Sequence, residues 1–258
     1  FDPKIHVVIE GAEFADYFWP AVEQYVECTH EYWRSNGKFT PNITLRLASG
    51  GYIGGGLYHS QNLEGALTTL PGARIVCPSF ADDAAGLLRT SMRSKGFTLY
   101  LEPKALYNSV EAAAVVPEEF EVPFGKARIR REGTDLTIIT YGNTTHFCLD
   151  VAERLAREEV GSVEVIDLRS LIPLDKEAIF ASVRKTGKVM VVHEDKVFSG
   201  FGAEIAAQIA GEMFRYLDAP VQRVGSTFTP VGFNPILERA ILPNDEKIYK
   251  AAKELLEF

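Results

Sequence analysis

Three stretches of the second half of the chain are apolar on consecutive positions: Asp135 to Tyr141 (DLTIITY), Val163 to Leu168 (VEVIDL) and Lys188 to His193 (KVMVVH). A strand with one wet face alternates, so these runs predict strands covered on both sides. The segments between them carry apolar residues at helical spacing. Thr145 to Glu159 places Cys148, Val151, Ala152 and Leu155 on one stripe, with Glu153 and Arg157 as an i,i+4 pair. Asp175 to Arg184 and Ala203 to Leu217 read in the same way. Strands alternating with helices of this length predict right-handed βαβ crossovers and a parallel sheet.

The first half is less regular. Lys4 to Ile9, Ile43 to Leu47 and Thr98 to Leu101 read as strands, and Asp82 to Met92 as a helix. Another helix opens at Pro20, where a missing N–H is harmless, and runs to about Ser35. Its stripe is Val22, Val26, Thr29 and Trp33, and Asn36-Gly37 ends it. Ser49 to Gly56 is a loop holding five of the 21 glycines. Between Ser109 and Arg131, charged residues with Pro117 and Pro123 mark a crossing segment, with Gly133 as a hinge. The expected architecture is two three-layer α/β domains, residues 1–133 (crossing segment 109–133) and 134–258.

At 258 residues the chain has room for both domains. No apolar run reaches the roughly 18 residues a membrane-spanning helix needs. With 27 basic and 35 acidic residues the net charge is −8, which repels phosphate backbones and argues against general nucleic-acid binding. Cys28, Cys77 and Cys148 are scattered, which fits a reducing compartment such as the cytoplasm and argues against disulfides or a zinc site. The sequence opens Phe-Asp-Pro-Lys, without an initiator Met or a signal-like segment, and reads as entered partway through a domain.

His59 follows Gly54-Gly55-Gly56 directly. Glycines let a backbone approach a ligand closely, and a histidine at the rim of such a loop can move protons near neutrality; the alternative is a hydrogen-bonded structural histidine. The run GGYIGGG matches neither the dinucleotide fingerprint nor a P-loop. Tyr17 lies among Phe14, Phe18 and Trp19, either a piece of core or a face on which a flat heterocycle stacks. His193-Glu194 ends a strand, where it could line a site beyond the sheet or simply close the strand. His6, His30 and His146 show no ligand spacing, so no metal site is expected from this chain.

Taken in order, GGGLYHSQ (Gly54 to Gln61), LPGARIVCP (Leu70 to Pro78), DAAGLL (Asp83 to Leu88), VPFGKA (Val122 to Ala127), EVIDLR (Glu164 to Arg169), LIPLD (Leu171 to Asp175), KTG (Lys185 to Gly187) and GFGAEI (Gly200 to Ile205) resemble the β subunit of thiamine diphosphate-dependent 2-oxoacid dehydrogenases. The resemblance runs from about Val7 to Leu256 and extends in fold to transketolase. It implies a pyrimidine-binding domain, truncated at its N-terminus, followed by a transketolase C-terminal-like domain. The implied activity is oxidative decarboxylation of a branched-chain 2-oxoacid with reductive acylation of a lipoyl group. Tyr17, rather than Phe, leans towards the branched-chain members; a pyruvate or acetoin dehydrogenase is the alternative. The implied cofactor is thiamine diphosphate with Mg2+, held mainly by an α subunit or an α part of the same polypeptide. Other implied partners are a second β part, giving α2β2, and a lipoyl acyltransferase core. The location is the cytoplasm, or the mitochondrial matrix in a eukaryote. By position, His59 matches the histidine facing the cofactor and the entering lipoyl group, and Tyr17 the aromatic packing on the aminopyrimidine.

The sequence departs from the family in two places. The family's glutamate that hydrogen-bonds the aminopyrimidine is expected ahead of the Phe14–Tyr17 stretch, and the sequence begins too late to contain it, so its segment lies on another polypeptide or was cut away; Glu10 and Glu13 belong to the following strand. The isolated fragment is therefore expected to be inactive, which admits a non-catalytic reading as a dimerisation and core-docking module. The family's K+ loop reads Thr90-Ser91-Met92-Arg93-Ser94-Lys95-Gly96, with Ser94 in place of an acid and a cation beside it, so K+ is the less expected outcome. A transketolase-type sugar-phosphate enzyme ranks below these, because no Arg or Lys flanks His59.

Overall fold

The computed structural model describes residues 2, 4–11 and 14–258. Along the first half run β1 (Val7–Gly11), a 3-10 segment (Ala15–Ala21), α1 (Val22–Arg34), β2 (Ile43–Ser49), α2 (Glu64–Leu67), β3 (Ala73–Val76), α3 (Ala81–Arg93) and β4 (Phe97–Pro103). The second half holds β5 (Arg128–Arg131), β6 (Leu136–Thr140), α4 (Thr144–Arg157), β7 (Val163–Asp167), β8 (Ser170–Ile172), α5 (Lys176–Thr186), β9 (Val189–Lys196), α6 (Phe201–Glu212), β10 (Gln222–Ser226), α7 (Pro235–Ile241) and α8 (Asp245–Leu256).

Among the described residues two five-stranded sheets form, ordered β1-β2-β4-β3-β8 and β10-β9-β6-β7-β5. In each, four strands are parallel and one edge strand is antiparallel: β8 on β3, and β5 on β7. The wholly parallel expectation is corrected by these two edges, three and four residues long, which carry no periodicity of their own. They also tie the halves together. β8 leaves the second half to join the first sheet, and β5 joins the second sheet although it precedes residue 134.

The second sheet is buried on both faces. Ile139, Ile166, Val189 and Val191 pack in one cluster with Ile179 and Val183 of α5 and Ile205 and Ile209 of α6. Leu136, Ile138, Val165, Met190 and Val192 pack in another, against Cys148, Val151, Ala152 and Leu155 of α4 and Ile248 and Leu255 of α8. Each such aliphatic side chain contributes about 1.5–3 kcal/mol by leaving water. The first cluster continues into Leu45, Leu47, Ile75, Leu99 and Leu101, so one core spans both sheets.

Local chemistry sets the helix ends. Asp175 caps α5 by accepting from Ala178 N, and Gly187 closes it at φ 68°. Asn244 caps α8 by accepting from Lys247 N. Two details of the pattern differ from expectation. Trp33 is 62 % exposed, and Tyr25 takes its place on the buried face of α1. The i,i+4 pair on α4 is Arg154–Glu158 at 3.0 Å, one residue along from Glu153 and Arg157. Glu10 lies in β1, whereas Glu13 lies outside the described residues.

Two of the motif strings meet at the seam between the sheets. Asp83 of α3 pairs with Arg130 of β5 and, at 2.8 Å, with Arg169. Arg130 also pairs with Asp167 at 2.8 Å, and Asp167 accepts from Ser79 Oγ at 2.9 Å.

Candidate cofactor-facing site

The aromatic patch divides at the 3-10 segment. Phe18 is buried edge-on against Tyr25, with ring centroids 5.7 Å apart, while Tyr17 is 50 % exposed and faces the turn after the glycine loop. That turn carries His59. The Tyr17 hydroxyl lies 3.3 Å from His59 Nδ1, and Phe14 stacks on the imidazole at 4.6 Å. Nδ1 is also 2.8 Å from the carbonyl of Tyr58. A carbonyl only accepts, so in the contact with Tyr58 it is Nδ1 that donates. Phe14, Tyr17, Ile53, His59, Lys104 and Tyr107 are among the residues lining a cleft of ≈ 570 Å³. Beside it, Ile9, Gly11, Phe14, Tyr17 and Phe18 help to line an apolar hollow of ≈ 400 Å³.

The glycine loop is shaped by close approach. A Cβ on Gly55 would stand 2.8 Å from both Cβ and the carbonyl oxygen of His59, so only hydrogen fits there. Gly50 adopts φ +88°, and the Glu194 carboxylate occupies the space a side chain would need.

Carboxylates of the second half hold this loop by its amides. Glu194 accepts from Gly51 N, Glu238 from Gly54 N at 3.2 Å, and Asp195 from Gly65 N at 3.0 Å. Glu64 sits among them, accepting from Asn62 Nδ2 at 3.1 Å and Tyr141 OH at 3.3 Å. Burial, with Asp195 beside it, pushes Glu64 up to about 8. Burial likewise pushes Glu194 up to about 7, partly offset by the Gly51 amide and Lys104.

Of the other candidates, His193 takes the second of its two readings and closes the strand. It is fully buried, neither ring nitrogen has a hydrogen-bond partner among the described residues, and its ring lies parallel to Tyr141. Burial lowers it to about 4, and it packs beneath α6 rather than lining a site. Its neighbour Glu194 does reach the loop. His6 Nε2 meets Thr44 Oγ1 at 2.8 Å and His146 Nε2 meets the Ser79 carbonyl at 2.8 Å, both structural contacts. Sequence reasoning missed Asp16 and Lys104. Lys104 Nζ donates to the His59 carbonyl at 2.7 Å, and Asp16 Oδ1 accepts from Gln61 N at 3.0 Å. An isolated Asp beside an aromatic cluster and a Lys after a strand give no local signal of that meeting.

Residues 4–110 match the family model described as transketolase, pyrimidine binding domain, and residues 125–248 that described as transketolase, C-terminal domain. The 2-oxoisovalerate dehydrogenase subunit beta of Bacillus subtilis is 40 % identical over 252 residues, covering 97 % of this chain and 76 % of its own. The pyruvate dehydrogenase E1 component subunit beta of the same organism is 39 % identical, covering 88 % of this chain and 69 % of its own. A solved structure titled split gene transketolase, inactive beta4 tetramer, superposes with a TM-score of 0.75 at 20 % identity, over 97 % of this chain and 75 % of that one. That last likeness bears on fold alone.

Proposed function

Since this chain belongs to the β-subunit family of the thiamine diphosphate-dependent 2-oxoacid dehydrogenases, we propose that it is the β part of the decarboxylating component, acting on a branched-chain 2-oxoacid and passing the acyl group to a lipoyl group. The observation that carries the reading is His59, which lines a cleft together with Tyr17 and Phe14. Longer coverage by the 2-oxoisovalerate relative, 97 % of this chain against 88 % for the pyruvate relative, supports the branched-chain substrate over pyruvate.

The residues present suit one end of the cofactor. An exposed phenol beside an apolar hollow offers a face for a flat aminopyrimidine, and Tyr17 with the hollow's walls would hold that ring. The diphosphate and Mg2+ are assigned to an α part, with a second β part completing α2β2. Arg74 Nη2 already donates to the Lys95 carbonyl at 2.6 Å, which argues against K+ at that loop. When bound, thiamine diphosphate supplies a nucleophilic ring carbon and a sink for the electrons left by CO2. His59 is held with its proton on Nδ1, so Nε2 can accept a proton from a group in the cleft and return it. General acid–base help of this kind contributes about 10²–10⁴ in rate. Tyr17 and Phe14 orient the imidazole and keep one side of the cleft dry. We place the division between the two domains in the crossing segment 109–133.

The test is recombination of this chain, supplied with the segment that carries the aminopyrimidine glutamate, with an α component, thiamine diphosphate and Mg2+, followed by reduction of an artificial acceptor. Activity with 3-methyl-2-oxobutanoate well above that with pyruvate, abolished by His59→Gln, is the expected result. Equal rates in wild type and His59→Gln would overturn the assignment of His59, and a preference for pyruvate would overturn the substrate.

A further inference from the structure

The charges that bracket His59 are buried more completely than His59 itself. The side chains of Asp16 and Lys104 are 3 % and 4 % exposed, with Nζ 3.7 Å from Oδ2, beyond hydrogen-bond length. Each charge spends its hydrogen bond on the backbone instead. Lys104 Nζ donates to the carbonyl of residue 59, and Asp16 Oδ1 accepts from the amide of residue 61. Asp16 Oδ2 is buried and has no hydrogen bond among the described residues. Lys104 Nζ also stands over the Phe14 ring at 4.4 Å, and Phe14 in turn stacks on the imidazole. Buried ion pairs are seldom the most stable filling for their volume; well-packed apolar residues often serve as well or better. A pair whose members bond to the two peptides flanking Ser60 has a geometric use that apolar residues would not supply.

We propose that Asp16 and Lys104 are positioning residues for His59: by fixing the carbonyl of residue 59 and the amide of residue 61 they aim the imidazole Nε2 into the cleft. The proposal rests on the reading of His59 as the functional group. Asp16 lies on the same 3-10 segment as Tyr17, and Lys104 follows β4, so the pair joins the segment that touches the imidazole to the sheet beneath it. Lys104 also lines the cleft, but in this role both residues act through the His59 turn.

The five histidines of the chain provide an internal scale for a test on the whole polypeptide. Diethyl pyrocarbonate labelling is followed at each histidine by mass spectrometry, and the His59 ring signal by proton–carbon correlation. The variants are Lys104→Met, Lys104→Arg and the charge-neutral double variant Asp16→Asn with Lys104→Met. Loss of a hydrogen bond from a charged donor shifts a held-to-released ratio roughly tenfold. The His59 labelling rate is therefore expected to rise roughly tenfold in Lys104→Met, with a displaced ring signal and the other four histidines unchanged. Lys104→Arg should return the rate and the signal towards wild type. Where Lys104→Met fails to fold, the double variant leaves no unpaired buried charge and carries the measurement. An unchanged His59 in a folded variant overturns the proposal. So does a rise at all five histidines in both variants, which would make Lys104 a residue of general stability. No readout uses cofactor or α polypeptide, so failure of the recombined enzyme to decarboxylate would overturn the functional proposal while leaving this result legible.

Discussion

Two clusters of buried carboxylates join the halves of this molecule, and they are balanced by different means. At one seam Asp83 and Asp167 face Arg130 and Arg169, full cations in bonding contact. At the other, Glu194, Glu238 and Asp195 face the peptide N–H groups of Gly51, Gly54 and Gly65, with Glu64 accepting from Asn62 and Tyr141 beside them, Lys196 3.7 Å from Asp195 and Lys104 acting on Glu194 from further off. A peptide dipole offers only a fraction of a charge, so repulsion among the second set is poorly cancelled, and burial adds to it. The arginine seam is a fixed staple. The amide seam holds the loop that leads to His59, and it does so in a way that depends on protonation.

The largest effect should come from unbalancing the staple. Arg130→Met leaves Asp83 and Asp167 buried with one fewer cation, and removal of one partner from such a pair costs about 3–5 kcal/mol. Urea unfolding is the measurement. A cost below about 1 kcal/mol, the value of an exposed pair, would mean that the two seams do not differ as described.

The amide seam should respond to pH instead. Glu64 titrates at about 8 and Glu194 at about 7 in the folded chain, both above an ordinary glutamate. Between pH 6 and 8 the unfolded chain has already released these protons while the folded chain retains part of them. Folding therefore binds protons, and stability falls as pH rises through this window, by roughly 2–3 kcal/mol. His193 acts in the opposite sense: lowered to about 4, it takes stability away as pH drops below its unfolded value towards 4. Above about pH 4 the two glutamates together outweigh this single histidine, so on these three groups stability is expected to fall from there through neutrality. Glu64→Gln should flatten the alkaline limb in chemical unfolding, and an unaltered limb would remove the basis of the contrast.

What the sequence could and could not show follows the same line. The strands of the second half were legible because burial on both faces writes itself as unbroken Val and Ile. His59 was legible because the glycines beside it are a local signature, and a Cβ at Gly55 shows why one of them is needed. Both seams, and the Asp16–Lys104 pair, are made of residues far apart in the chain whose local settings are unremarkable. β8 is three residues long, and β10 carries Gly225 at a shift in its pairing with β9, so neither presents a period to read. His193 shows the converse: its position at a strand end left both readings open, and Gly202 of α6, Gly200 before it and Gly225 of β10 pack closely on its ring and enclose it as core.

Gly55→Ala asks whether the amide seam places His59 by fit. The added methyl would stand 2.8 Å from two atoms of His59, so either the loop or the histidine must move. Overpacking of this kind costs about 1–3 kcal/mol. The His59 labelling rate should change with that of His193 constant; a stable variant with unchanged His59 labelling would show that the close approach is unimportant.

Glu238→Gln is the smallest and most selective change. The glutamine amide oxygen can still accept from Gly54 N, so the geometry of the loop is retained while one negative charge leaves the cluster. Glu238 is the weakest of the influences on Glu194, raising it from a distance, after burial, the Gly51 amide, Lys104 and Asp195. Its neutralisation should therefore move the Glu194 part of the alkaline limb to lower pH by a fraction of a unit, with little change in stability at pH 6. Glu238→Ala removes the bond as well and should cost about 1 kcal/mol more. If the two variants titrate alike and differ only by that constant, the cluster is coupled by charge. If Glu238→Gln leaves the midpoint where it was, Glu238 serves the loop through its hydrogen bond alone, and the amide seam is less of an electrostatic unit than its crowding of carboxylates implies.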